Sequence, residues 1–137
     1  MSESVALNTE LNATITRVWE ALTDSTLLSE WMFFHTHDFQ TVVGHTFHLH
    51  SKQPGWSAVI DCEVLEVDAP HRLSYSWVID AYRHHTQVTW TLVEVGDHVT
   101  RLHLEQSGFV SDATQEIGGA NYAWTRQLEQ LQSLLAK

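Results

Sequence analysis

The feature that most constrains this chain is a change of hydrophobic period along its length. Between Phe33 and Phe109 apolar residues recur at every second position in short runs, whereas from about Gln115 to Ala136 they recur every three or four. Ala58, Ile60, Cys62 and Val64 alternate with Asp61 and Glu63. Leu73, Tyr75 and Trp77 alternate with Arg72, Ser74 and Ser76; Val88, Trp90 and Leu92 repeat the pattern, and Leu102 and Leu104 line a last run. Period two puts one face of each strand in a core and the other in solvent. Phe47 and Leu49 form a shorter run after Gly44. The joints are brief: Lys52-Gln53-Pro54-Gly55, Asp68-Ala69-Pro70-His71 and Gly96-Asp97. Pro70 lacks an amide donor and restricts Ala69, so it ends a strand. Short alternating strands with tight turns predict an antiparallel meander and not a parallel sheet.

The flanks supply helices. Val5, Leu7, Thr9 and Leu11 predict an opening strand, broken at Asn12-Ala13-Thr14, where Asn12 or Thr14 can cap a helix. Ile15, Val18, Trp19 and Leu22 share one side of that short helix. Thr23-Asp24-Ser25 is a second break, followed by a second short helix carrying Leu27, Leu28 and Trp31. In the terminal helix Ile117, Ala120, Trp124, Leu128, Leu131 and Leu135 draw one stripe, with Gln127, Glu129, Gln130 and Gln132 assigned to other faces. About 20 residues span roughly 30 Å, enough to cross a small domain. Gly118 and Gly119 each weaken its start by about 0.5–1 kcal/mol relative to Ala, which predicts a kink or a close approach to the preceding loop. The expectation is an α+β domain covering residues 1–137. In it, a strongly curved antiparallel sheet wraps around a long C-terminal helix, with two short helices after the first strand.

The 137 residues fit one domain. Net charge is −10, Lys52 and Lys137 are the only lysines, and the five arginines are scattered. Phosphate contacts need a basic stripe, so neither nucleic acid nor an anionic membrane is an expected partner. The single cysteine, Cys62, rules out an intrachain disulfide and reads as a small buried hydrophobe. No window approaches the roughly 18 apolar residues of a membrane span. Met1-Ser2-Glu3-Ser4 lacks the basic and apolar regions of a signal peptide, so a cytoplasmic location is expected.

With its elements in this order the sequence resembles the START-like, Bet v 1-like superfamily, and within it the family of the activator of heat-shock-protein-90 ATPase. The resemblance rests on Arg17-Val18-Trp19-Glu20-Ala21-Leu22-Thr23-Asp24, Leu28 and Trp31, then Gly44-His45-Thr46-Phe47 and Pro70-His71-Arg72-Leu73-Ser74-Tyr75-Ser76-Trp77. It continues through Val88-Thr89-Trp90-Thr91-Leu92 and Glu105-Gln106-Ser107-Gly108-Phe109. The chain departs from the family pattern at Val43, where a second glycine is usual, and at Gln106, where a histidine is usual. The resemblance implies a helix-grip fold with a cavity between sheet and terminal helix. Superfamily relatives bind lipids, hormones or polyketides there, while the eukaryotic activator docks on a chaperone.

The residues support a cavity independently, because a curved sheet and a straight helix cannot touch along their whole length. Phe47, Trp56, Tyr75, Trp77, Trp90 and Trp124 are the candidate ligand-binding residues: large rigid surfaces, some with a polar handle. The bland alternative is that these aromatics fill the space. The expected function is binding of a small apolar or aromatic ligand, without a cofactor. The rivals are a protein-interaction or co-chaperone-like module and a cavity enzyme of cyclase type.

For a metal, His35-Thr36-His37 and His48-Leu49-His50 each put two imidazoles on one strand face, with His103 as a third ligand. The spacings match no zinc signature, and dispersed surface histidines are the reading adopted, with no metal site. His84-His85 is weaker still. For an enzyme, Cys62 has no adjacent activating group and no Ser-His-Asp order is present. Asp80 or Glu105 beside a cavity histidine is the remaining acid–base arrangement.

Overall fold

The computed structural model describes residues 2–52, 58–79, 85–110 and 114–136. Seven strands run as β1 (Ser2–Leu11), β2 (Phe34–His35), β3 (Thr46–Ser51), β4 (Val59–Asp68), β5 (Arg72–Ile79), β6 (His85–Gly96) and β7 (Val99–Val110). Helices α1 (Ile15–Thr23) and α2 (Ser25–Trp31) follow β1, and α3 (Thr114–Leu135) closes the chain. The strands form one curved antiparallel half-barrel in the order β1-β7-β6-β5-β4-β3-β2. This is the helix-grip arrangement that the resemblance implies, built from the strands and helices the periodicities predict. Among the described residues no helix is long and apolar enough to cross a membrane.

Local chemistry sets the short helices. The Thr14 hydroxyl, not Asn12, accepts the Arg17 amide at 3.3 Å, and the Asp24 carboxylate accepts the Leu27 amide at 3.0 Å. Each satisfies an orphan donor of a first turn. Trp31 then locks α2 onto α1 by donating its indole N–H to the Ala21 carbonyl at 2.8 Å.

Both short helices lie under the C-terminal half of α3. The Arg17 guanidinium donates to the Leu135 carbonyl at 2.7 Å, where a cation meets the negative end of the helix. The Phe33 amide donates to the Gln127 side-chain oxygen at 2.9 Å. Leu128, Leu131 and Leu135 enter the main core here, together with Leu11, Leu22 and Leu102.

One expectation for α3 is corrected. Gln127, assigned to an outward face, is only 1% exposed. It lies three residues from Trp124 and four from Leu131, so helical period turns it inward whatever its polarity, and the Phe33 amide and Ala123 carbonyl occupy its amide. At the glycines α3 runs unbroken, and a Cβ built at Gly118 or Gly119 meets nothing within 4 Å among the described residues; the preceding loop at 111–113, to which a close approach was the other expectation, lies outside the described residues.

One bulge redirects the end of β7. Its even-numbered residues from Thr100 to Gln106 face the core, yet the next buried residue is Phe109. The β1–β7 register slips between Glu3 and Ser4, which leaves Gly108 as the extra residue. Gly108 sits at φ +97°, and a Cβ there would lie 3.1 Å from the His85 carbonyl oxygen. Glycine is therefore needed at this position, and the bulge swings Phe109 inward.

Candidate functional site

The interior is hollow at one end. A cavity of about 190 Å³ separates the N-terminal half of α3 from the sheet. Its roof is a single helical face on which Gly119, Ala120 and Ala123 stand between Glu116 and the larger Trp124 and Gln127. Small side chains hold the helix back from the sheet without filling the gap. The floor comes from Phe34 on β2, Ile60 on β4, and Trp77 and Ile79 on β5. Thr86, Gln106 and Phe109 form the far wall, the last placed there by the Gly108 bulge. Gln115 and Gly119, both exposed, mark the mouth.

The polar atoms of the wall are wired to one another. The Trp124 indole N–H donates to Gln106 Oε1 at 2.8 Å, Gln106 Nε2 donates to Thr86 Oγ1 at 2.9 Å, and the Thr86 hydroxyl donates to the Trp77 carbonyl at 2.7 Å. This relay ties β5, β6, β7 and α3 together in a place where unpaired groups would be costly. No buried side-chain nitrogen or oxygen among the described residues lacks a partner.

The structure divides the six candidate residues. Trp77 and Trp124 stand on the cavity wall, with ring centroids 5.1 Å apart. Phe47, Tyr75 and Trp90 do not line it; they form the packed layer behind. Trp90 sits edge-on to both Trp31 and Trp124, while Phe47 packs edge-on to Phe39 and Tyr75. The Trp90 indole donates to the Tyr75 hydroxyl at 2.9 Å. Burial pushes the Tyr75 hydroxyl far above its ordinary titration range, and that hydrogen bond offsets only part of the effect. Trp56, along with Asp80 and His84, lies outside the described residues.

The wall residues that the sequence reading missed are Phe34, Thr86, Gln106, Phe109 and Gln127, together with Gly119 and Ala123. Gln106 was visible only as a departure from the family pattern. The small residues of early α3 were the remaining signal, read as weakness in the helix when they are room beneath it.

The other candidate chemistries do not assemble. His35 and His50 are register partners on β2 and β3, with rings stacked 5.6 Å apart, and His37 stacks on His50 at 6.5 Å. Near-parallel rings do not aim nitrogens at a common point. Among the described residues no three His, Cys, Asp or Glu side chains gather as a metal site. His103, the suggested third ligand, sits on β7, with β6, β5 and β4 between it and β3, and bonds Asn8 at 2.8 Å. Burial pushes the Cys62 thiol well up, with Asp61 and Asp38 adding to the shift, so its nucleophilic thiolate is suppressed. Glu105 occupies the strand face opposite Gln106, and no histidine is among the described wall residues.

The family model for activator of Hsp90 ATPase homolog 1-like proteins matches residues 12–136. The chain belongs to this family. Its solved relatives share the architecture. MLL2253 from Mesorhizobium loti is 34% identical, with a TM-score of 0.87 over 98% of this chain and 97% of that one. CalU16 from Micromonospora echinospora is 26% identical, with a TM-score of 0.76 over 95% of this chain and 74% of its own. DynU16, from the dynemicin biosynthetic locus, is 24% identical with a TM-score of 0.83; the chain is covered to 98% but spans only 47% of DynU16. No curated protein matches the chain. Family and fold together make this a Bet v 1-like domain of the ligand-binding cavity type, with buried aromatic residues.

Proposed function

We propose that this family member binds a small apolar or aromatic molecule in the cavity between the sheet and α3. The observation that carries the reading is the cavity itself, about 190 Å³ walled by Phe34, Trp77, Phe109 and Trp124 inside an otherwise closely packed core. Pockets of this type bury most of a ligand against apolar walls and orient it with a few polar groups. The relay through Gln106 supplies those groups.

The described wall holds no nucleophile paired with a base, which disfavours a cyclase-type enzyme. Native mass spectrometry of protein purified from its own host tests the reading. A small co-purifying mass that is displaced by an apolar dye supports it. An empty chain that binds no apolar dye and carries a protein partner would favour the interaction-module alternative.

A further inference from the structure

We infer that Gln106 and Thr86 make the cavity selective for a hydrogen-bond donor, a ring N–H or hydroxyl carried by the ligand, over its acceptor-only and apolar isosteres; this deepens the binding reading above and rests on it. The direction of the wall relay carries the argument. At one end the Trp124 indole can only donate, so the Gln106 atom that meets it at 2.8 Å is the amide oxygen. At the other end the Trp77 carbonyl can only accept, so the Thr86 hydroxyl spends its proton there, at 2.7 Å. Gln106 Nε2 therefore donates to Thr86 Oγ1, at 2.9 Å. A flipped amide would set N–H against N–H at the indole. Both ends of the relay hold Gln106 in one orientation.

The valences left over are unequal. A carboxamide has two N–H groups and two oxygen lone pairs, whereas a hydroxyl has one proton and two lone pairs. Gln106 keeps one lone pair and one N–H, and Thr86 keeps one lone pair and no proton. Together they offer two acceptor sites and one donor site, on side chains 3% and 6% exposed that both stand on the cavity wall. Gln127 does not tilt the balance. It accepts from the Phe33 amide and donates to the Ala123 carbonyl, which leaves one site of each kind. A ligand that covers Gln106 and Thr86 either pairs these sites or strands them at a cost. An N–H or O–H meets either spare oxygen site, an acceptor finds only the Gln106 N–H, and a hydrocarbon strands all three. The flat faces of Trp77 and Trp124 alongside suit a ring as the carrier of that donor.

The test uses two isosteric pairs of probes, indole with indene and quinoline with naphthalene, which differ within each pair by a donor and by an acceptor. Two-ring probes suit a space of about 190 Å³, since an engineered cavity of about 150 Å³ takes benzene. Each probe displaces a bound apolar dye from the full chain, and the affinity ratio within a pair is compared between wild type and variant, which cancels the cost of drying the probe. Gln106→Met keeps the length of the side chain and should lower the indole-to-indene ratio about fivefold, the value of one hydrogen bond. Thr86→Val removes one acceptor site and releases a second Gln106 N–H, so the balance turns over. The quinoline-to-naphthalene ratio should then rise about fivefold while the indole-to-indene ratio falls. A merely structural role for Thr86 would not raise either ratio. If Gln106→Met does not fold, Thr86→Val decides alone, because it keeps the bond from Trp124 to Gln106. Dye binding with ratios unchanged in the variants, or a fall of both ratios in Thr86→Val, would overturn the inference and leave the binding reading intact. A wild-type chain that binds neither dye nor probe would overturn both.

Discussion

The two halves of α3 face the same sheet and meet opposite fates. Its C-terminal half presents Leu128, Leu131 and Leu135 to an interior that α1 and α2 help to fill, and the space left beside it is an open groove between Leu128, Glu129 and Gln132 and the β1 residues Leu7, Asn8 and Thr9. Its N-terminal half presents Gly119, Ala120 and Ala123 to bare sheet, and the cavity opens there. Trp124 marks the boundary, packed edge-on to Trp90 on one side and bonded to Gln106 on the other. The difference teaches that hollowness here is local: two short helices inserted between β1 and β2 fill one end of the half-barrel and leave the other to its side chains. Stability and binding should separate along the same helix.

The largest effect should come from the solid end. Leu131 is fully buried, so Leu131→Ala should cost about 2–5 kcal/mol through lost transfer energy and the cavity left behind. Gln130, exposed one position earlier, should change stability by less than about 0.5 kcal/mol when replaced by Ala. The reverse substitution at the hollow end, Ala123→Leu, puts its added carbons into the cavity, so it should cost less than Leu131→Ala while abolishing dye binding. Urea melts and dye titrations of the three variants check this. Equal midpoints for L131A and Q130A, or undiminished binding by A123L, would erase the distinction between the halves.

The next effect is at the hinge between the halves. Gln127→Leu keeps the volume but orphans the Phe33 amide, which should cost about 1–3 kcal/mol. A loss as small as that of Q130A would mean that the apolar packing, not this hydrogen bond, fastens α3 to the lead into β2.

This division was only partly legible in the sequence. Period two and period 3.6 located the sheet and the helices, because alternation reports directly which side of an element is buried. Alternation does not report what lies opposite. Phe47, Tyr75, Trp77 and Trp90 all alternate inward by the same rule, yet only Trp77 meets the space under small helix residues. Gln106 and Gln127 were hidden by their polarity, since their burial depends on partners from other elements. Phe109 was displaced by a bulge at Gly108, whose effect on phase shows only once β7 is aligned with β1.

A smaller gain sharpens the contrast. Gly119 lies within α3, and a Cβ there meets nothing within 4 Å among the described residues. Gly119→Ala should therefore raise stability by about 0.5–1 kcal/mol by reducing unfolded-state freedom. A thermal melt showing destabilisation would mean that this end of the helix already touches what lies below it.

The smallest effect concerns the β3 edge of the sheet, behind the cavity wall. β2 pairs with β3 through His35–His50 and Phe34–Ser51, and the Lys52 amide donates to the Phe33 carbonyl at 3.0 Å, so the β3 edge from Leu49 back to Thr46 needs other partners. Asp38 supplies them. Its carboxylate accepts the His48 backbone amide and the His48 ring, both at 3.2 Å, and the Thr36 hydroxyl at 2.9 Å, pinning the loop that lays Phe39 on Phe47. Partial burial alone would raise the Asp38 titration point, but donation from His48 and Thr36 outweighs it and holds the carboxyl below the ordinary range. A folded-state value below the unfolded one means that the ionised form is favoured by folding. The resulting stability is present above the ordinary aspartate value of about 3.9 and disappears as pH falls through the lower folded value. Wild type should therefore exceed Asp38→Asn in urea midpoint at about pH 6, by no more than an exposed ion pair commonly contributes. The gap should close progressively below about pH 4. A gap that holds its size down to about pH 2 would show that Asp38 acts through shape and not charge, and the β3 edge would then be held like the C-terminal half of α3, by packing.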